Sequence, residues 1–201
     1  MPVDAADSPG AVSDRVGARA PLVFALIVLL GFGLLYSLVG TGLGRMLFPM
    51  QAGGSVIERD GMAVGSALIA QPFTDARYFQ PRPSAAGYDA RAASGSNLAR
   101  SNPALAERIA GARAAVALRD GVAEADVVPD LLTQSGGGLD PHLSPAGARQ
   151  QIARVARARG LREDEVLALV EAHTETEQFG VFGAARVNVL HLNLALDARS
   201  R

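Results

Sequence analysis

The chain opens its main pattern with a run of 25 residues, Ala20 to Gly44, that contains no charged side chain. Its centre, Pro21 to Val39, is nearly all Leu, Val, Ile, Phe, Ala and Gly. A helix of that length spans roughly 37 Å, more than the hydrocarbon core of a bilayer. A cleaved secretory signal has a shorter apolar stretch and a small-x-small cleavage site. The exit from this run, Arg45-Met46-Leu47-Phe48-Pro49, lacks such a site. A soluble helix of this length would show a polar face. The pattern predicts one retained membrane span at 20–44, a tail at 1–19 and one domain at 45–201.

Beyond the span the polarity pattern changes to short elements. Ser55 to Glu58 and Met62 to Ile69 flank Arg59-Asp60-Gly61, and Asp-Gly between apolar runs predicts a hairpin. An irregular stretch follows with Pro72, Phe73, Tyr78, Phe79, Pro81, Pro83 and Tyr88. Asn102-Pro103 offers a cap and a first helical position, with Leu105, Ile109, Ala112 and Val116 at helical spacing before Asp120-Gly121. Val127 to Thr133 reads as a short edge strand. Ser144-Pro145 repeats the capping device and starts a helix to about Arg159. On it Ala148, Ile152 and Val155 face inward and Arg149, Arg154 and Arg157 outward. Glu163-Asp164-Glu165 supplies acids to the first turn of a further helix that buries Val166, Leu169, Val170 and His173. Val189 to Leu196 fits two descriptions. Its leucines alternate as in a strand, yet Asn188 suits a helix cap, and helix is the slightly better reading. The expected class is α+β: one N-terminal transmembrane helix, then a single domain with a small sheet and several helices.

Charge sets the orientation. Arg15 and Arg19 precede the span and Arg45 alone follows closely, which predicts a cytoplasmic N-terminus and an extracytoplasmic domain in the inner (plasma) membrane. Within the span, Gly33, Ser37, Gly40, Thr41 and Gly44 recur at three- and four-residue spacing. Small residues let helices pack closely in lipid, so this stripe is a candidate docking face for another membrane helix. The general abundance of glycine in membrane helices is the alternative, and docking against another membrane helix is the preferred reading.

Composition removes several chemistries. All 19 cations are arginine, so a lysine-dependent phosphate loop and Schiff-base catalysis are excluded. Cysteine is absent, which excludes disulfides and thiolate metal sites. His142, His173 and His191 lack ligand spacing, and no Gly-x-Ser-x-Gly elbow occurs. A net charge of −1 gives no electrostatic case for nucleic acid. No catalytic or metal-ligating set is expected.

Two loops look alike. Ser94-Gly95-Ser96-Asn97-Leu98 precedes the Asn102-Pro103 helix, and Ser135-Gly136-Gly137-Gly138-Leu139 precedes the Ser144-Pro145 helix. Such loops can turn backbone amides toward an anion or a partner's carbonyls. Without lysine or a cation cluster, tight turns that place two helices are the stronger reading. Asp140-Pro141-His142 reads as a turn that bonds its own backbone. The acids from Glu163 to Glu177 read as a solvated face.

The anchor, GSALIAQPFTDARYFQPRPSAAGYDARAASGSNLARSNPAL (65–105), LLTQSGGGLDPHLSPAGARQQIARVARARG (131–160) and HTETEQFGVFGAARVNVLHLNLALD (173–197) together resemble one family. They are similar to the C subunit of the bacterial Kdp potassium-transporting ATPase, the KdpC family. Two departures stand out: Ala99-Arg100 where that family usually has Gly-Pro, and Ala76 where it often has Pro. The resemblance implies a non-catalytic accessory subunit of an ATP-driven potassium uptake complex. Its implied partners are a channel-like potassium-binding subunit and a P-type ATPase subunit. It implies stabilisation of their assembly and a catalytic-chaperone effect that raises the ATPase subunit's affinity for ATP, so ATP enters only through the complex. The loops are then candidate partner- or nucleotide-linked elements. The competing reading is a stand-alone, membrane-anchored extracytoplasmic ligand-binding module.

Overall fold

A computed structural model describes residues 17–199. Most of the expected N-terminal tail, residues 1–16, lies outside them. The chain divides after Gly53 into two compact units.

The first unit holds a helix of 29 residues, Arg19–Leu47, long and apolar enough to cross a membrane. It begins as α1 (Arg19–Ile27) and ends as α2 (Tyr36–Leu47). Between them, Val28–Leu35 adopts the wider π geometry, in which the Tyr36 N–H reaches back to the Gly31 carbonyl. A one-turn α3 (Pro49–Ala52) follows, with Pro49 at a position where its missing N–H costs nothing.

The second unit starts with the expected hairpin. Strands β1 (Val56–Arg59) and β2 (Met62–Ser66) pair antiparallel around a two-residue turn. Asp60 and Gly61 have φ of 54° and 74°, the left-handed pair that a tight hairpin turn requires. Arg59 therefore belongs to the strand, and the strand pairing ends at Ser66.

Helix α4 (Pro103–Asp120) is capped by Asn102, whose side chain accepts from Ala104 N–H, and closes on Gly121 in the left-handed region. The stretch expected as an edge strand at 127–133 is instead a 3₁₀ turn at Pro129–Leu131. Its bonds are local, from Leu131, Leu132 and Thr133 N–H back to Val128 and Pro129 carbonyls, and the Gln150 side chain takes Val128 N–H. Pro129 has no N–H to give a ladder, so the apolar residues bury from a turn.

The expected helix 145–159 is two segments, α5 (Pro145–Gln150) and α6 (Ile152–Arg159), separated at Gln151. Ser144 caps the first through Gly147 N–H, and left-handed Gly160 ends the second. Helix α7 (Glu163–Ala172) carries its three acids in the first turn and buries Val166, Leu169 and Val170. His173 is half-buried at its end, its Nδ1 2.9 Å from the Leu169 carbonyl. The 189–196 ambiguity resolves as helix: α8 (Val189–Arg199), with Asn188 Oδ1 accepting from His191 N–H.

Two short strands, β3 (His142–Leu143) and β4 (Thr174–Glu175), flank β5 (Arg186–Asn188) in an antiparallel three-stranded sheet. The fold is α+β with two small sheets and several helices. Its core gathers Leu131, Val155, Val170, Leu192 and Leu196 around Phe79, a residue of the irregular segment. Burial of such aliphatic and aromatic side chains supplies the main stabilising term, of order 1.5–3 kcal/mol each.

Candidate functional site

The two Ser-Gly loops meet. A Cβ added at Gly95 would lie 2.6 Å from the Gly136 carbonyl oxygen, and one at Gly138 would lie 2.6 Å from the Ser94 carbonyl oxygen. Each loop therefore spends a glycine on the other's backbone. Gly138 has φ of 71° as well, so a side chain there meets both strain and a neighbour. Ser135 and Gly138 are buried, Gly95 and Leu98 half-buried, and Ser94, Ser96, Asn97, Gly136 and Gly137 exposed.

Segment 82–88 braces the contact. The Ser84 hydroxyl donates to the Gly138 carbonyl and accepts from the Ala86 and Tyr88 N–H groups, at 3.1 and 3.0 Å. Arg82 Nη1 donates to Asp140 Oδ2 at 3.1 Å, and Nη2 donates to the Thr133 carbonyl and hydroxyl. Asp140 Oδ1 accepts from His142 N–H at 3.0 Å, the self-bonding turn expected of Asp-Pro-His. Burial works against ionisation of Asp140. Hydrogen bonds from the His142 side chain and backbone and from Arg82 outweigh it and hold the carboxyl below the usual range.

A second polar centre escaped sequence reasoning. Arg154 does not point outward: its side chain is 8% exposed and it pairs with the fully buried Asp120. Asp120 accepts four hydrogen bonds, two from Arg119, one from Arg154 Nε at 2.8 Å and one from Gln150. Arg154 Nη1 also donates to the Ala76 and Tyr78 carbonyls. Burial opposes Asp120's charge, and the Arg119 and Arg154 guanidinia override it, holding its carboxyl low. Burial also lowers Arg154, which acts against the pair, but a guanidinium starts so far above neutrality that it stays charged. Helical period alone placed Arg154 on a stripe with Arg149 and Arg157, and nothing local signals a partner 34 residues away.

Asp197 on α8 forms a third cluster, accepting from Arg159 at 2.8 Å and from Arg59 and the Tyr78 hydroxyl at 3.2 Å. The Arg159 guanidinium stacks over the Tyr78 ring, 4.8 Å from its centroid. Asp197 ties hairpin, irregular segment and α6 to one carboxylate. Among the described residues, no three His, Asp or Glu side chains converge as a metal site would require. All three clusters do positioning work: they hold backbone and loops in place.

In the first unit, Ser37, Gly40 and Thr41 are exposed, and so is Gly33 in the π stretch, while Gly44 is half-buried. A Cβ at Gly40 or Gly44 meets nothing within 4 Å, and one at Gly33 meets only the Val28 carbonyl at 3.9 Å.

Comparison with known proteins covers both units at once. The family model described as "KdpC: K+-transporting ATPase, c chain" matches residues 18–198, from the apolar helix to the end of α8. The chain belongs to the KdpC family. The "Potassium-transporting ATPase KdpC subunit" of Xanthomonas oryzae pv. oryzae is 65% identical over 184 residues, 92% of this chain and 88% of that protein. The protein of the same name from Shewanella putrefaciens is 53% identical over 182 residues, covering 90% and 89%. That from Kineococcus radiotolerans is 51% identical over 181 residues, covering 89% and 92%. KdpC membership makes the chain a subunit type of a potassium-transporting ATPase and fits a membrane-anchored protein with one N-terminal apolar helix.

Proposed function

We propose that this chain is a non-catalytic accessory subunit that holds together the channel-like and P-type ATPase subunits of a potassium uptake complex. The observation that carries the reading is the helix Arg19–Leu47, long and apolar enough to cross a membrane, with a mean hydropathy of 2.7 over its most apolar window. Lipid covers most of such a surface. The small-residue face of Gly33, Ser37, Gly40, Thr41 and Gly44 suits the closer approach of a partner helix. The arginines Arg15 and Arg19 before the span favour an inside N-terminus and an outside domain.

The ATPase subunit hydrolyses ATP on the cytoplasmic side, whereas the folded domain lies outside. Any gain in ATP affinity is then a coupling between sites, produced by favouring one state of the complex, with no contact between these loops and nucleotide. Asp120, Asp140 and Asp197 are each bound up in structural hydrogen bonds, which agrees with a role free of acid–base chemistry.

Purification in mild detergent tests the assembly reading: the tagged chain co-elutes with two larger membrane subunits. Replacing Gly33, Gly40 and Gly44 by Leu weakens co-elution, because each new side chain fills the space that a closely packed partner helix would occupy. A lone monomer from wild-type membranes overturns the subunit reading and favours the stand-alone module. Unchanged assembly of the triple variant overturns the docking face. Protease added to intact spheroplasts cleaves the domain if it lies outside.

A further inference from the structure

Seven large apolar side chains of the second unit are exposed among the described residues, and three of them fall within 179–182. Single exposed apolar residues are ordinary on a protein surface, whereas a cluster on one loop marks a contact. Phe179, Val181 and Phe182 are 89%, 73% and 64% exposed. They sit on a tight turn in the connection from β4 to β5. Gln178 and Phe182 form an isolated antiparallel bridge, with N–H to carbonyl distances of 2.8 and 2.9 Å. Val181 N–H also reaches the Gln178 carbonyl, and Gly180 N–H the Glu177 carbonyl, both at 3.2 Å. Phe179 and Gly180 have φ of 56° and 69°. That region suits glycine and is unfavourable for a ring-bearing residue, so the turn keeps a costly backbone that holds the Phe179 ring outward.

Two features say what covers this tip. The first is its polarity. Residues 178–185 contain no charged side chain, and the N–H groups of Gln178, Gly180, Val181 and Phe182 all bond inside the turn. A protein pocket can offer hydrogen-bond partners to a loop. Lipid cannot, so backbone that enters it must satisfy itself, as this turn does. The second feature is chain length. The apolar helix ends at Leu47 and β1 starts at Val56. Residues 48–55 reach at most about 28 Å when extended, which keeps the domain at the surface of the membrane that holds the helix. Such tethering makes a weak second contact effective by raising local concentration.

We propose that the 178–182 tip enters the boundary between lipid headgroups and acyl chains and gives the domain a membrane contact separate from the span. Phe179, Val181 and Phe182 are the buried part. Glu175, Glu177 and Arg186 stay at the base, where Arg186 pairs with Glu175 at 2.7 Å. The base carries no excess of cations, so apolar burial drives the contact and neutral lipid suffices. The inference rests on Arg19–Leu47 being the anchor and holds for either orientation of it.

Fluorescence from a single introduced tryptophan tests it, because the chain has none of its own. Full-length Phe179→Trp is reconstituted in phosphatidylcholine vesicles, with and without bromine on the acyl chains. The expected result is a blue-shifted emission that loses intensity in the brominated lipid. Leu118→Trp, at a side chain 86% exposed on α4, keeps a water-like emission and its intensity. Adding Phe182→Asp to Phe179→Trp returns the reporter to water. The melting temperature stays unchanged, because the Phe182 side chain is exposed and the turn closes through its backbone. A chain that fails to float with the vesicles overturns the anchor and this proposal with it. A chain that floats with the 179 reporter in water overturns the proposal alone. Equal quenching at 118 and 179, or no effect of Phe182→Asp, overturns it as well. A 179 reporter that shifts only when the other ATPase subunits are co-reconstituted assigns the tip to a protein pocket and overturns the lipid contact.

Discussion

Asn193 takes both backbone polar groups of Phe79, accepting from its N–H at 2.8 Å and donating to its carbonyl at 2.9 Å. One residue further on, Gln151 does the same for Gln80, at 2.9 and 3.0 Å. These two side-chain amides supply what a neighbouring strand would supply in a sheet, and they let an irregular segment place Phe79 in the core with its backbone satisfied.

Asn193→Ala leaves a buried N–H and a buried carbonyl unpaired at Phe79. The expected cost is about 2–4 kcal/mol, read as a lower unfolding midpoint in urea with the full chain in detergent. Asn193→Asp keeps the acceptor and loses the donor, so it also destabilises, and by less at pH 5 than at pH 8 because protonation restores a donor. Wild-type stability in both variants would show that the two bonds contribute little.

Breaking the Asp120–Arg154 pair is expected to be severe. Asp120→Ala strips the partner from a nearly buried guanidinium and costs about 3–5 kcal/mol. A loss under about 1 kcal/mol, in equilibrium unfolding, would mean that Arg154 finds solvent in the variant.

Acid weakens the fold through a defined set of carboxylates. Asp120, Asp140 and Asp197 all have folded-state values held below the usual carboxylate range. A lowered value means that the stabilisation is fully present above the unfolded value, about 3.9. It is lost as pH falls from there through the folded values. The melting temperature is therefore expected to be level with respect to these groups from pH 5 to 7 and to fall below about pH 4. In Asp197→Asn the acid-induced drop becomes shallower; an identical drop would remove Asp197 from the set.

Glycine substitutions separate contact from conformation in the two loops. Gly95→Ala places a methyl group against the Gly136 carbonyl and is expected to cost about 1–3 kcal/mol. Gly137→Ala meets nothing within 4 Å and carries no left-handed φ, so it stays within about 0.5 kcal/mol of wild type. Equal effects at the two positions would show that the loops do not pack as described.

What the sequence makes legible here is local. Asp60-Gly61, Asn102-Pro103, Ser144-Pro145, Gly121 and Gly160 each announce a turn or a helix end through their own φ preference or side-chain bond. The structure places all five where those preferences put them. Asn188 resolves the leucine-rich C-terminal segment in the same way. The interruption at Gln151 and the burial of Arg154 involve partners distant in sequence, which no periodicity reports, while the turn at 129–131 is closed by local bonds around Pro129 within a run whose apolar letters suit a strand equally well. The likeness of the two Ser-Gly loops was visible in the letters. Their contact was not, because it is made of backbone, and glycine shows permission for close approach without naming what approaches.

The clamp on Phe79 and Gln80 also bears on how fast the domain folds. Asn193 on α8 lies 114 residues after Phe79, while Gln151 follows Gln80 by 71 residues. Each amide reaches its backbone partner only by closing a loop of that length, and the entropy of closure is spent before the bonds form. The clamp therefore belongs to the non-local contacts that slow folding, and it is made late relative to the capped helices on either side.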